Sequence, residues 1–274
     1  MNDIVNFLSM LFEQGLSYSA VNTARSALST SVNMGQLPTC GEHPTVKRFM
    51  RGVFQKRPTR PKYVYTWDAE IVLLHLENLQ PLQDLSLKDL TMKLVTTIAL
   101  ITGQRCQTIF YMNLKTMQKT NTKFRFIIEH LIKTSKPGKE QPILILPKFE
   151  ENEHRCVYKT LKRYLEVTAP LRKGDELFIS FIKPHAPVSK DTISRWVRTT
   201  LEQAGIDTEI FKSHSTRSAA TSAARRAMIP MSSIMRAASW ESDNTFRRFY
   251  NKPLQKESDF ALSILKNSHK DELQ

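Results

Sequence analysis

Residues 55–62 read Gln55-Lys56-Arg57-Pro58-Thr59-Arg60-Pro61-Lys62, with two prolines, four cations and no apolar side chain. Proline removes a backbone donor and disfavours helical backbone in the residue before it, so neither a long helix nor a central strand is expected through this stretch. With nothing to bury, it reads as an extended linker of about residues 55–65, and the chain must build its cores on either side. The same cations suit phosphate contacts, a nuclear import signal or plain solvation.

The 274 residues suffice for one large domain or two smaller ones. Before the linker, Ile4, Phe7, Leu8, Leu11 and Phe12 recur at helical spacing, and Val21 to Val32 repeats the pattern. Residues 1–60 are therefore expected to form a small helical domain, and residues 61–274 a larger one. In the larger domain Thr66 is expected to cap a helix opened by Trp67-Asp68-Ala69-Glu70, and Ser86 a longer one ending at Gly103. From Lys123 to Leu146 the apolar pattern shortens around Lys136-Pro137-Gly138-Lys139, which predicts a β-hairpin with Lys133 and Lys136 flanking its turn. Helices follow at about 153–167, 189–204 with Ser189 as cap, 213–227, and 230–238 with Pro230 in the first turn. Leu177-Phe178-Ile179 suggests one short strand. The expected class is mainly α with a small antiparallel β element (α+β).

Charge is the unusual part of the composition. Forty Lys and Arg against 26 Asp and Glu give a net charge of +14, the footprint of a protein with a polyanionic partner, nucleic acid first among them. Cys40, Cys106 and Cys156 are too few for a disulfide framework and fit a reducing compartment. Cys40…His43 and His154…Cys156 lack the second pair that a closed zinc site needs, so no metal is expected. No apolar run reaches the length of a membrane span, and the N-terminus does not read as a secretory signal. Lys270-Asp271-Glu272-Leu273 resembles a retention signal, but Gln274 follows it.

The residues that carry chemistry lie in several segments. His214 and Arg217, three apart near a helix start, share a face and can reach one anion. Arg105 follows Gly103-Gln104 inside an apolar stretch, where a guanidinium wants a bound anion or a carboxylate partner. Trp240 offers an indole N–H that donates at any pH, although tryptophans more often serve as core. Tyr250 sits between Arg247-Arg248 and Lys252, and nearby cations favour the phenolate that a nucleophilic tyrosine needs. A lysine such as Lys133 or Lys136 can donate a proton.

Taken in order, Thr102-Gly103-Gln104-Arg105, a hairpin lysine, His214-x-x-Arg217, Trp240 and Tyr250 resemble the catalytic domain of tyrosine recombinases, the phage integrase family, over about residues 65–255. The segments Leu131 to Gly138, Lys183 to Lys190 and Phe246 to Tyr250 resemble versions carried by eukaryotic mobile elements of the DIRS and Crypton kinds. The resemblance implies a helical core-binding domain clamping DNA, followed by a mostly helical catalytic domain with a small antiparallel sheet. Longer relatives carry more of the clamp, so part of it is expected to be missing before Met1. Arg105 and Arg217 would hold the non-bridging phosphate oxygens, His214 would orient or deprotonate, and Tyr250 would attack to leave a 3′-phosphotyrosyl link and a 5′-hydroxyl. Trp240 stands where many members have a second histidine. Lys133 is assigned as general acid, as a lysine ending the first strand, and Lys136 fits nearly as well. The resemblance implies no metal, and because the phosphotyrosyl ester stores the bond energy, no nucleotide cofactor either.

The implied partner is double-stranded DNA, bound by a dimer or tetramer that exchanges strands through a Holliday junction, in the nucleus if the DNA is eukaryotic. Lys47-Arg48-Phe49-Met50-Arg51 and Lys190 to Arg198 are candidates for phosphate tracking. The apolar positions Phe260, Ala261, Leu262, Ile264 and Leu265 suit either a neighbouring protomer or the chain's own domain. A type IB topoisomerase-like enzyme and a domesticated DNA-binding protein without catalysis are the alternatives.

Overall fold

The computed structural model describes residues 1–32, 39–59, 63–240, 246 and 250–254. Arg60 to Lys62, Arg247, Arg248, Phe249, the apolar tail positions and Lys270 to Gln274 lie outside the described residues. The chain divides into Met1–Lys62 and Tyr63–Gln274.

In the first unit, α1 (Asn2–Glu13), α2 (Tyr18–Ser31) and α3 (Pro44–Lys56) bury Leu8, Val21, Val46 and Met50 against one another. Ser17 caps α2 by accepting from the Ala20 amide, and Pro44 opens α3, where its missing N–H costs nothing. Lys47, Arg48 and Arg51 stand exposed on α3. The expected linker begins later than its composition suggests. Gln55 and Lys56 are helical, and Arg57 donates to the Phe12 and Leu16 carbonyls at 2.6 and 2.9 Å while stacking on the Phe12 ring. A guanidinium can close the open end of α1 in this way, so its charge does not mark it as linker.

The second unit is built around α5 (Leu87–Thr102), whose faces are almost wholly buried. Around it pack α4 (Ala69–Glu77), α6 (Cys106–Phe110), α7 (Val157–Thr168), α8 (Lys190–Gln203) and α9 (Ser215–Arg226), with α10 (Met231–Ala237) against α9. Strands β1 (Met117–Lys119), β2 (Lys123–Ile127) and β3 (Ile143–Pro147) form an antiparallel sheet in that order. Phe124 pairs with Leu146 and Phe126 with Leu144, and all four face the core, which fixes the register. The class is as expected, mainly α with a small antiparallel sheet.

Several details differ from expectation. Asp68, not Thr66, caps α4, its carboxylate accepting from the Glu70 amide at 3.1 Å. Thr66 instead donates its own amide to the Pro253 carbonyl at 2.9 Å. The turn at Lys136 to Lys139 exists, with Gly138 at φ +75°, but it lies inside a long connection, residues 128–142. Strand β2 stops at Ile127, so Lys133 does not end a strand; the apolar pair Leu131-Ile132 belongs to the connection, with Ile132 buried and Leu131 exposed. Strand β1, only three residues long, was not expected. Leu177 to Ile179 makes no strand; isolated bridges tie Glu176 to Asn113 and Ile179 to Pro187. Pro230 precedes α10 as its N-cap.

One buried cation yields a stability prediction. Lys93, on α5 and 2% exposed, donates to the Leu76 and Leu79 carbonyls at 2.8 Å each, closing the C-terminal end of α4. Burial pulls its pKa from 10.5 down to about 8, against the partial pull of Glu77 in the other direction. Between those values the unfolded chain still holds the proton that the folded chain has released. Stability should therefore rise by up to about 3 kcal/mol as pH climbs through this window. Urea unfolding across pH 7–11 checks this: Lys93→Met should lose that rise relative to wild type, and an unchanged profile would contradict the assignment.

Candidate active site

The C-terminus of α5 sets the first part of the site. Gly103 ends the helix at φ +58°, a conformation that β-carbon sterics reserve largely for glycine, and the chain turns so that Arg105 opens α6 in extended geometry. Between them Gln104, 5% exposed, donates its amide nitrogen to the Ala237 carbonyl at 2.6 Å and to Ser239 Oγ at 3.0 Å. It thereby ties the Arg105 corner to the segment that carries Trp240.

Helix α9 supplies the second part. His214 is its N-cap residue, and Arg217 follows within the first turn, 1% exposed. Ser215 is held by the Trp67 indole, which donates to its Oγ at 2.9 Å. The Arg217 guanidinium donates to the Gly103 carbonyl at 3.0 Å and to the Ala238 carbonyl, so it bridges the ends of α5 and α10. It also lies 4.5 Å over the Trp240 ring and 5.5 Å from the Tyr250 ring centroid. Burial, and then the like charge of Arg105, pull its pKa down to about 9. A buried cation facing a second, half-buried one forms a site that an anion would relieve.

The third part is a small apolar cluster of Ile234, Ala238, Trp240 and Phe246, with Tyr250 packed on it. The Trp240 and Tyr250 rings are 4.4 Å apart and tilted by 38°. That stacking turns the Tyr250 hydroxyl toward His214, whose Nε2 is 3.1 Å away. The structure thus joins His214, Arg217, Trp240 and Tyr250 by direct contact and places Arg105 close enough to act on the Arg217 charge. Among the described residues, Arg217 Nε and Trp240 Nε1 are buried donors without a partner. A buried donor left unpaired is costly, and two on side chains that lie against the Tyr250 ring suit a polyoxygen anion.

The lysines are arranged differently from expectation. Lys133 and Lys136 are exposed, and the Lys133 amide donates to Gln107 Oε1 at 3.4 Å, so their segment runs beside α6. A cavity of about 620 Å³ separates that segment from Trp240, and Lys139, Arg125 and Arg236 line it, whereas Lys133 and Lys136 do not. Gln104 and Lys139 carry no mark in the sequence beyond the tight turn at Gly138, which precedes the cavity-lining Lys139. Among the described residues, no three His, Cys, Asp or Glu side chains gather into a metal-holding group. Cys40 and Cys156 are buried, and Cys156 Sγ accepts from the Phe149 amide at 3.2 Å, a structural role.

No curated protein matches the chain by sequence. Solved structures do match its fold. XerA recombinase aligns over 98% of this chain and 81% of its own, at 17% identity and a TM-score of 0.54. The Tn1549 transposon integrase, solved in complex with transposon right-end DNA, aligns over 97% and 85%, at 15% identity and a TM-score of 0.60. A lambda integrase tetramer bound to a Holliday junction aligns over 88% and 64%, at 15% identity and a TM-score of 0.53. Residues 73–257 match the model of the phage integrase family, and the chain belongs to that family.

Proposed function

We propose that this chain is a site-specific DNA recombinase that cuts and rejoins strands through a 3′-phosphotyrosyl intermediate, with Tyr250 as nucleophile. The observation that carries the reading is the convergence on Tyr250 of His214, 3.1 Å from its hydroxyl, and of Arg217 and Trp240, which lie against its ring and each keep a buried donor unpartnered. The Tyr250 oxygen attacks phosphorus, His214 takes the phenolic proton, and the bond from phosphorus to the 5′-oxygen breaks. Arg105, Arg217 and Trp240 hold the charge that gathers on the non-bridging oxygens. The leaving 5′-oxygen takes a proton from a lysine, and attack by a 5′-hydroxyl on the phosphotyrosyl ester reverses the sequence.

DNA as partner is supported by the net charge of +14 and by exposed Lys47, Arg48, Arg51, Lys190 and Arg195. Arg198 is committed in part to Glu209, at 2.7 Å. Assembly into a dimer or tetramer on DNA is proposed with it, in keeping with the DNA-bound lambda tetramer. Origin in a DIRS- or Crypton-type element, and with it a nuclear location, rests on the likeness of the Leu131 to Gly138, Lys183 to Lys190 and Phe246 to Tyr250 segments.

Strand exchange is tested with synthetic DNA carrying the element's ends: Holliday junctions and recombinant products are expected, and relaxation of supercoils without junctions would favour a topoisomerase instead. The general acid is tested with Lys133→Ala, Lys136→Ala and Lys139→Ala on DNA with a 5′-bridging phosphorothiolate, whose leaving group needs no proton. The variant whose cleavage defect disappears on that substrate identifies the acid. Rescue of none would remove all three from the role.

A further inference from the structure

Helix α9 buries five hydroxyl side chains, Ser215, Thr216, Ser218, Thr221 and Ser222. Serine and threonine within helices commonly bond back to a carbonyl of the preceding turn. Thr216 and Thr221 do so, donating to the Ser213 and Arg217 carbonyls at 2.7 Å each. Ser218 and Ser222 do not. Four residues apart on one face, both donate out of the helix to the Tyr250 carbonyl, at 3.3 and 2.5 Å. Ser222 Oγ also accepts from the Lys252 amide at 3.1 Å. One residue further on, the Pro253 carbonyl accepts from the Thr66 amide at 2.9 Å, and Leu254 pairs in parallel with Thr66.

We propose that Ser218 and Ser222 are positioning residues for the nucleophile, a latch that fixes the Tyr250 backbone to the helix carrying His214 and Arg217. Both lone-pair directions of the Tyr250 carbonyl are occupied from one helix face, and the next amide available, that of Lys252, is taken by the same serine. The latch leaves the hydroxyl of Tyr250 to His214 while its main-chain carbonyl is held by the next two turns of the same helix. An attacking oxygen tolerates little displacement, and a 1 Å error can cost ~10²-fold in rate. Alanine at both positions would keep the helix, whose propensity alanine improves, and remove the two donors to Tyr250 together with the Ser222 acceptor for the Lys252 amide.

The inference rests on the proposed phosphotyrosyl chemistry, and the experiment separates the two. Single-turnover adduct formation on nicked suicide DNA, DNA affinity and thermal midpoint are measured for wild type and for Ser218→Ala/Ser222→Ala. The double variant should cleave ~10- to 100-fold more slowly, with little change in DNA affinity. The deficit should persist on the 5′-bridging phosphorothiolate, because the leaving group is not what has been harmed. Restoring one hydroxyl, as Ser218→Thr/Ser222→Ala, should recover part of the rate. Cleavage at the wild-type rate overturns the latch, and so does a parallel fall of rate, affinity and thermal midpoint, which marks a purely structural role. If the double variant does not fold, Ser222→Cys, equal in shape but a weak donor, answers by the same comparison. A wild-type protein that forms no adduct overturns the functional reading itself, and the latch with it.

Discussion

Tyr250→Phe should abolish covalent capture of DNA, lowering cleavage by at least roughly 10⁴-fold, because phenylalanine has no oxygen with which to attack. The ring would stay where it is, since its packing on Trp240 at 4.4 Å does not use the hydroxyl. The hydroxyl's contacts to His214 and to the Arg217 guanidinium are lost, and one such bond is worth about 1 kcal/mol net. DNA affinity and thermal midpoint should therefore be nearly those of wild type. Gel-shift titration beside a suicide-substrate assay reads both quantities on one preparation. A loss of affinity comparable to the loss of cleavage would make Tyr250 a binding residue instead.

Arg217→Ala should be severe in two respects. Removing one preorganised donor from a charge-developing oxygen typically costs ~10²- to 10³-fold, and Arg217 is both a donor and a full charge, so a loss near the upper end or beyond is expected. The same change leaves the Gly103 and Ala238 carbonyls without the guanidinium that joins them, and a buried acceptor left unpaired costs about 1–3 kcal/mol. Cleavage, DNA affinity and stability should fall together, the opposite of the Tyr250→Phe pattern. Arg217→Lys should recover little, because an ammonium cannot span two carbonyls and a phosphate as a planar fork does. Near-wild-type cleavage by the lysine variant would show that Arg217 acts only as a charge.

The parts of this site differed in how visible they were beforehand, and the reasons are physical. The Gly103 stop, the Ser86 and Ser189 caps and the start of α9 depend on local backbone chemistry, so they could be read from short segments. Thr66 and Asp68 are both good caps by residue type, and α4 begins at Ala69, so Asp68 is the one whose side-chain oxygen meets an N-terminal amide of the helix. The hairpin is shorter than its apolar pattern, because Leu131 and Ile132 continue an apolar run beyond Ile127, where the strand ends. The joining of positions 105, 214, 217, 240 and 250 is a long-range fact, and only resemblance to a family suggested it in advance. Gln104 and the serines of α9 left no sign, since polar side chains in such places usually serve their own turn of backbone.

The most direct test of the account is to find which side chain holds the DNA. Wild-type protein trapped on nicked suicide DNA, digested with nuclease and protease and sequenced by mass spectrometry, should carry a nucleotide 3′-phosphate on the peptide containing Tyr250. A link to any other residue, or no link in a preparation that binds the DNA, would contradict it.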